Sequence, residues 1–75
     1  MDLYSILQEV KEFGIECVQK KREECLLVTD SVILVYLKTL MSEKEFQIIL
    51  RYKELVIDVF RRSVKEELDF LDNKP

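Results

Sequence analysis

The chain has 75 residues and a mass of 9.0 kDa; 48% of it is apolar with no alanine, and it contains one Gly, one Pro, no Trp and no His. Basic residues number 12 and acidic ones 15, giving a net charge of −3 and a pI near 4.9. Without His, a Ser–His or Cys–His nucleophilic site and a Cys₂His₂ zinc site are excluded, the shortage of turn residues argues against an all-β fold, and the acidic balance is not the footprint of a nucleic-acid binder.

A domain this small hides only about 60% of the surface its unfolded chain exposes. The bulky apolar content therefore points to association with another chain. Gly and Pro together make two residues, where average usage would give roughly nine, so the elements are long helices with few breaks.

Residues 2–23 place Leu3, Ile6, Leu7, Val10, Phe13, Gly14 and Cys17 at helical spacing. Asp2 suits the N-cap, and the Glu16–Lys20–Glu24 ladder supports helix up to about residue 24. Gly14 has two readings. It lets a crossing helix approach closely, or it ends the helix before a strand at 15–19; the ladder favours the first. The segment MDLYSILQEV has neither a basic n-region nor an apolar h-region, so no signal peptide is expected, and a reducing, cytoplasmic setting with free thiols follows. On one continuous helix Cys17 and Cys25 would lie about 12 Å apart along the axis, too far for a bridge. They read as small buried apolar residues rather than as reactive thiols near Lys20, Lys21 and Arg22.

Residues 25–41 are the most apolar stretch, interrupted by Asp30 and Lys38. A membrane span needs about 20 apolar residues, so a buried segment is expected, with no membrane role. Val28, Thr29, Val32, Ile33 and Val35 suit strands, yet length and the absence of turn residues favour a short central helix over 31–41, capped by Asp30 or Ser31.

The third element carries the clearest signals. Ser42 and Glu45 form an S-x-x-E capping box, with Met41 and Phe46 as the hydrophobic staple. Apolar residues then keep a helical period to Leu71, and Leu50, Ile57, Val64 and Leu71 recur every seven residues as a coiled-coil-like seam. Asp58–Arg62, Arg62–Glu66 and Lys65–Asp69 lace the other side, and Asn73 and Pro75 mark the stop. A straight helix over 43–72 would span about 45 Å, whereas a compact domain of this size has a radius of gyration near 11 Å. With no Pro or Gly inside to bend it, the expected fold is all-α: an elongated three-helix bundle of two long helices and a short central one, in a single domain over 1–75. The alternative is α+β, with a small hairpin between two helices.

Residues 37–54, LKTLMSEKEFQIILRYKE, are similar to the first part of a helix-turn-helix in sigma-factor-type DNA readers. The turn that should follow Lys53–Glu54 is missing, because Leu55, Val56 and Ile57 continue the helix, and no function is carried over.

The acidic pairs Glu43/Glu45 and Glu66/Asp69 read as a solvated helix surface, since a short chain offers little wall for a catalytic pocket. No catalytic, cofactor-binding or metal-binding residues are assigned, and a non-enzymatic role is expected. The leading expectation is a protein–protein interaction module, acting as a homo-oligomer (a dimer first) or as a small subunit, adaptor or inhibitor of a larger protein. Its interface would be the apolar stripe of Phe46, Leu50, Tyr52, Ile57, Val64 and Leu71. The alternative is a small dimeric nucleic-acid-binding regulator with Arg61, Arg62 and Lys65 as candidate phosphate contacts.

Overall fold

The computed structural model describes residues 2–73. They form α1 (Leu3–Lys21), a 3-10 segment (Arg22–Leu27), α2 (Asp30–Leu40), α3 (Glu43–Arg51) and α4 (Lys53–Asp72). Among the described residues there is no strand, so the fold is all-α and the hairpin alternative fails. The molecule is elongated, 41 × 21 × 18 Å, with a radius of gyration of 12.2 Å.

Each helix start has a local cause. The Asp2 carboxylate accepts from the Ser5 N–H at 2.8 Å and caps α1. At α3 the capping box is complete: Ser42 Oγ accepts from the Glu45 N–H at 3.2 Å, and Glu45 Oε1 accepts from the Ser42 N–H at 2.9 Å. The staple pair Met41 and Phe46 both join the core. α2 differs from expectation. Its cap is Thr29, whose Oγ1 accepts from the Val32 N–H at 3.3 Å, and Asp30 is the first helical residue instead. At the far end the Asn73 amide donates to the Asp69 carbonyl at 2.9 Å; Pro75 lies outside the described residues.

α1 and α4 form the main helix pair, and Gly14 is where they meet. A Cβ on Gly14 would overlap the Ser63 hydroxyl and lie 3.0 Å from the Phe60 carbonyl oxygen. Ser63, itself buried, donates its hydroxyl to that same carbonyl at 2.8 Å. Glycine is thus the residue that allows the crossing, and the chain stays helical through it. Around this crossing Ile6, Val10, Val18, Ile33, Leu37, Ile49, Val56, Phe60 and Val64 are buried. Each such side chain contributes about 1.5–3 kcal/mol relative to exposure. Phe13, Tyr36 and Phe60 join α1, α2 and α4 edge to face, with centroids 6.5 and 6.3 Å apart.

Two breaks correct the expected bundle. The first helix ends at Lys21, not near 24: Arg22 takes φ 52, ψ −130, and its N–H closes the helix on the Val18 carbonyl. Glu24 therefore lies on the returning 3-10 segment, and the Lys20–Glu24 pairing is lost. The expected long helix is interrupted at Tyr52 (φ −114, ψ 36), so there are four α-helices among the described residues where three were expected. The cause lies in the apolar stripe. Every residue from 50 to 55 is exposed, between buried Ile49 and buried Val56, and the core position four after Ile49 is Lys53. A bend at Tyr52 turns the two apolar stretches into one core while the Tyr52 N–H still reaches the Ile48 carbonyl and the Val56 N–H the Tyr52 carbonyl, at 3.1 and 3.0 Å.

Candidate functional site

The expected interface stripe is divided by this packing. Phe46, Ile57 and Val64 are buried in the chain's own core, and Leu71 is half-buried against it. These four hold the monomer together and present no free seam. Only Leu50 and Tyr52 remain exposed, at 42% each, on the outer side of the α3–α4 elbow beside Leu55. A heptad of apolar residues signals that a helix has one apolar side; α1 already covers most of that side here.

Another exposed apolar surface lies on the element that sequence reasoning assigned to the interior. α2 turns Ile33 and Leu37 inward. On the opposite face Val32 and Val35 are 51% and 63% exposed, and Leu27 just before the helix is 83% exposed. Thr39 shares that face by helical spacing. A usable signal was present: α2 is apolar on most sides, and one chain of this size cannot surround it.

An apolar recess of about 100 Å³ opens beside this face. Cys17, Val28, Val32, Ile33, Tyr36 and Phe60 line it, with Lys20 and Lys21 completing its wall. Burial pushes the Tyr36 phenol above its ordinary value, and the neighbouring Cys17 adds to the shift.

The basic trio is largely committed. One Arg61 nitrogen donates to the Val28 carbonyl at 3.1 Å and to the Asp30 carboxylate at 2.6 Å, tying the start of α2 to α4. Arg62 pairs with Asp58 at 2.9 Å, the expected i,i+4 contact. Lys65 is exposed on the same helix. The carboxylates of Asp30 and Asp58 sit where phosphate would have to approach, so the cluster has little net positive charge to offer.

The two thiols overturn the separation expected for one straight helix. Because the chain reverses at Arg22, Cys25 comes back onto α1 and its Sγ lies 2.7 Å from Cys17 Sγ. Cys25 is buried and Cys17 half-buried. Burial pushes the Cys25 thiol up to about 12, with the adjacent Cys17 adding to the rise and Lys21 opposing it.

Among the described residues no group of three or more His, Cys, Asp or Glu side chains is arranged to hold a metal ion, and no helix is long and apolar enough to cross a membrane. No family model matches the chain, and no curated protein or solved structure matches it.

Proposed function

We propose that this chain is a non-enzymatic, cytoplasmic protein–protein interaction module that pairs with a second copy of itself through the outward face of α2. One observation carries the reading: Val32 and Val35 on α2, and Leu27 just before it, stay exposed on the most apolar stretch of the chain. Exposed apolar residues scattered singly need no explanation, whereas a contiguous patch marks an interaction site. The choice of a second copy rests on charge. Ser31, Val32, Val35 and Thr39 share one side of α2 by helical spacing and none of them is charged, while Asp30 is held by Arg61 of its own chain, so an antiparallel pairing across a two-fold axis brings no like charges together on that side. The same arrangement opposes the helix dipoles favourably. The elbow residues Leu50 and Tyr52 fit a secondary contact less well, because Arg51 and Lys53 flank Tyr52 and would face their own copies. Phosphate binding by Arg61, Arg62 and Lys65 has less support, given the carboxylates already paired with two of them.

Sedimentation velocity over the micromolar range tests the reading. The parent chain is expected to dimerise, Val35→Glu to sediment as a folded monomer with unchanged helicity, and Leu55→Glu to dimerise like the parent. A parent chain that remains monomeric at about 100 μM, with a standard free energy of pairing then weaker than about −5.5 kcal/mol, overturns it. So does a Val35→Glu variant that dimerises as well as the parent.

A further inference from the structure

We propose that Cys17 and Cys25 are a reversible oxidation site, at which a small alkyl hydroperoxide converts the two thiols of one chain into an intramolecular disulfide. The geometry carries the inference. The two sulfurs sit 2.7 Å apart in the unbonded protein, a short step from the bonded separation of about 2.05 Å. Their approach is set by the reversal at Arg22 and the 3-10 segment, not by chance contact of mobile side chains.

The two thiols have different surroundings, and this assigns the order of events. Cys17 lines the apolar recess and is reached from solvent through it. Cys25 borders a separate recess with Leu26, Arg61, Val64 and Lys65 but is only 2% exposed, so Cys17 is the more accessible sulfur. The recess, with its apolar lining and about 100 Å³ of space, suits a short alkyl chain. Lys20 and Lys21 stand on its wall, where an ammonium group can supply a proton to the departing alkoxide.

The Cys17 sulfur, as thiolate, attacks the terminal oxygen of the hydroperoxide. An S–O bond forms, the O–O bond breaks, and the alcohol leaves with one proton, so Cys17 becomes a sulfenic acid. The Cys25 sulfur then attacks the Cys17 sulfur. An S–S bond forms, the S–O bond breaks, and the hydroxyl leaves as water with the Cys25 proton. In sum, two thiols and one hydroperoxide give one disulfide, one alcohol and one water; the two sulfurs lose two electrons and the peroxide gains them. Thiol–disulfide exchange with a small reducing thiol reverses the change. The oxidation needs one chain only, and Val32 belongs both to the recess and to the proposed pairing face.

The test treats the reduced full chain with a stoichiometric amount of tert-butyl hydroperoxide and follows free thiols, intact mass and non-reducing electrophoresis. Expected are simultaneous loss of both thiols, a mass lower by two hydrogens, migration as a single chain, and recovery with dithiothreitol. Trypsin cuts after Lys20, Lys21 and Arg22, between the sulfurs, so the linked peptides report the bond directly. In Cys25→Ser, dimedone is expected to capture the Cys17 sulfenic acid; in Cys17→Ser, Cys25 is expected to oxidise at least tenfold more slowly than Cys17 does in the parent. Persisting thiols in the parent, a disulfide joining two chains, or Cys25 oxidised as fast without Cys17 as Cys17 is in the parent would each overturn the proposal. If Cys25→Ser does not fold, the linked peptides of the parent decide alone.

Discussion

Replacing Gly14 by alanine tests the helix crossing on which the whole core depends. The added methyl overlaps the Ser63 hydroxyl and comes within 3.0 Å of the Phe60 carbonyl oxygen and 3.1 Å of Ser63 Cβ. Two of these three contacts are with atoms that cannot rotate away, so α1 and α4 must separate by a few tenths of an ångström. Overpacking of this kind costs roughly 1–3 kcal/mol. Displacing the Ser63 hydroxyl from its 2.8 Å bond to the Phe60 carbonyl adds about 1 kcal/mol. Alanine's better helix propensity returns about 1 kcal/mol. The net loss is about 2 kcal/mol, and at about 4–8 °C per kcal/mol for a domain of this length the midpoint should fall by about 10 °C. Urea and thermal unfolding followed by far-ultraviolet circular dichroism measure it. A double-mutant cycle with Ser63→Ala, which deletes the overlapping hydroxyl, should show coupling of about 1 kcal/mol. Gly14→Ala as stable as the parent would mean that propensity, not the crossing, decides the position, and the close-approach argument would be refuted.

Further outcomes follow from the same contacts. Ser42→Ala removes one half of the capping box and should cost about 1 kcal/mol, read as a lower urea midpoint at unchanged slope. Arg61→Ala should cost under about 1 kcal/mol, because its ion pair with Asp30 is largely solvated; loss of the bond to the Val28 carbonyl should show instead as faster amide exchange around residues 28–30. In alkali the unfolded Cys25 thiol gives up its proton near 9.0 while the folded one holds it to about 12. The folded state then binds more protons, so stability, unaffected by this group below about pH 9, should fall as pH rises from there towards 12. Tyr36 adds to the same slope, and Cys25→Ala should flatten it; an unchanged slope in that variant would contradict the burial of the thiol. Arg22→Gly should raise stability by about 1 kcal/mol, since glycine takes positive φ without the clash that burdens arginine.

The starts of α1 and α3 and the inward faces of α1 and α4 were legible because their causes are local. Asp2 and Ser42–Glu45 act on backbone within three residues, and Gly14 stood on an apolar stripe where the close approach of a crossing helix was the favoured of two readings. The two breaks were not legible in the same way. Arg22 and Tyr52 are neither Gly nor Pro, and no Gly or Pro lies within three residues of either. Each is imposed from a distance: Cys25 and Val56 gain burial that a straight continuation would deny them. The stripe carried one overlooked sign, Lys53 at a position where the core needed an apolar side chain. The interface residues were misread for a related reason. Periodicity tells which side of a helix avoids water, but not whether the cover comes from the same chain, and Ile57 and Val64 are covered from within.

The conformation of Arg22 has a consequence for how the molecule comes apart. A residue held on the disfavoured side of the Ramachandran map lowers the cost of releasing the segment that follows it. Residues 22–27 form a short 3-10 turn in which Cys25 alone is buried, so this clasp should undo before the α1–α4 pair loosens. Deuterium uptake should start there, and any agent that reaches Cys25 should do so through that opening while the rest of the protein stays shut.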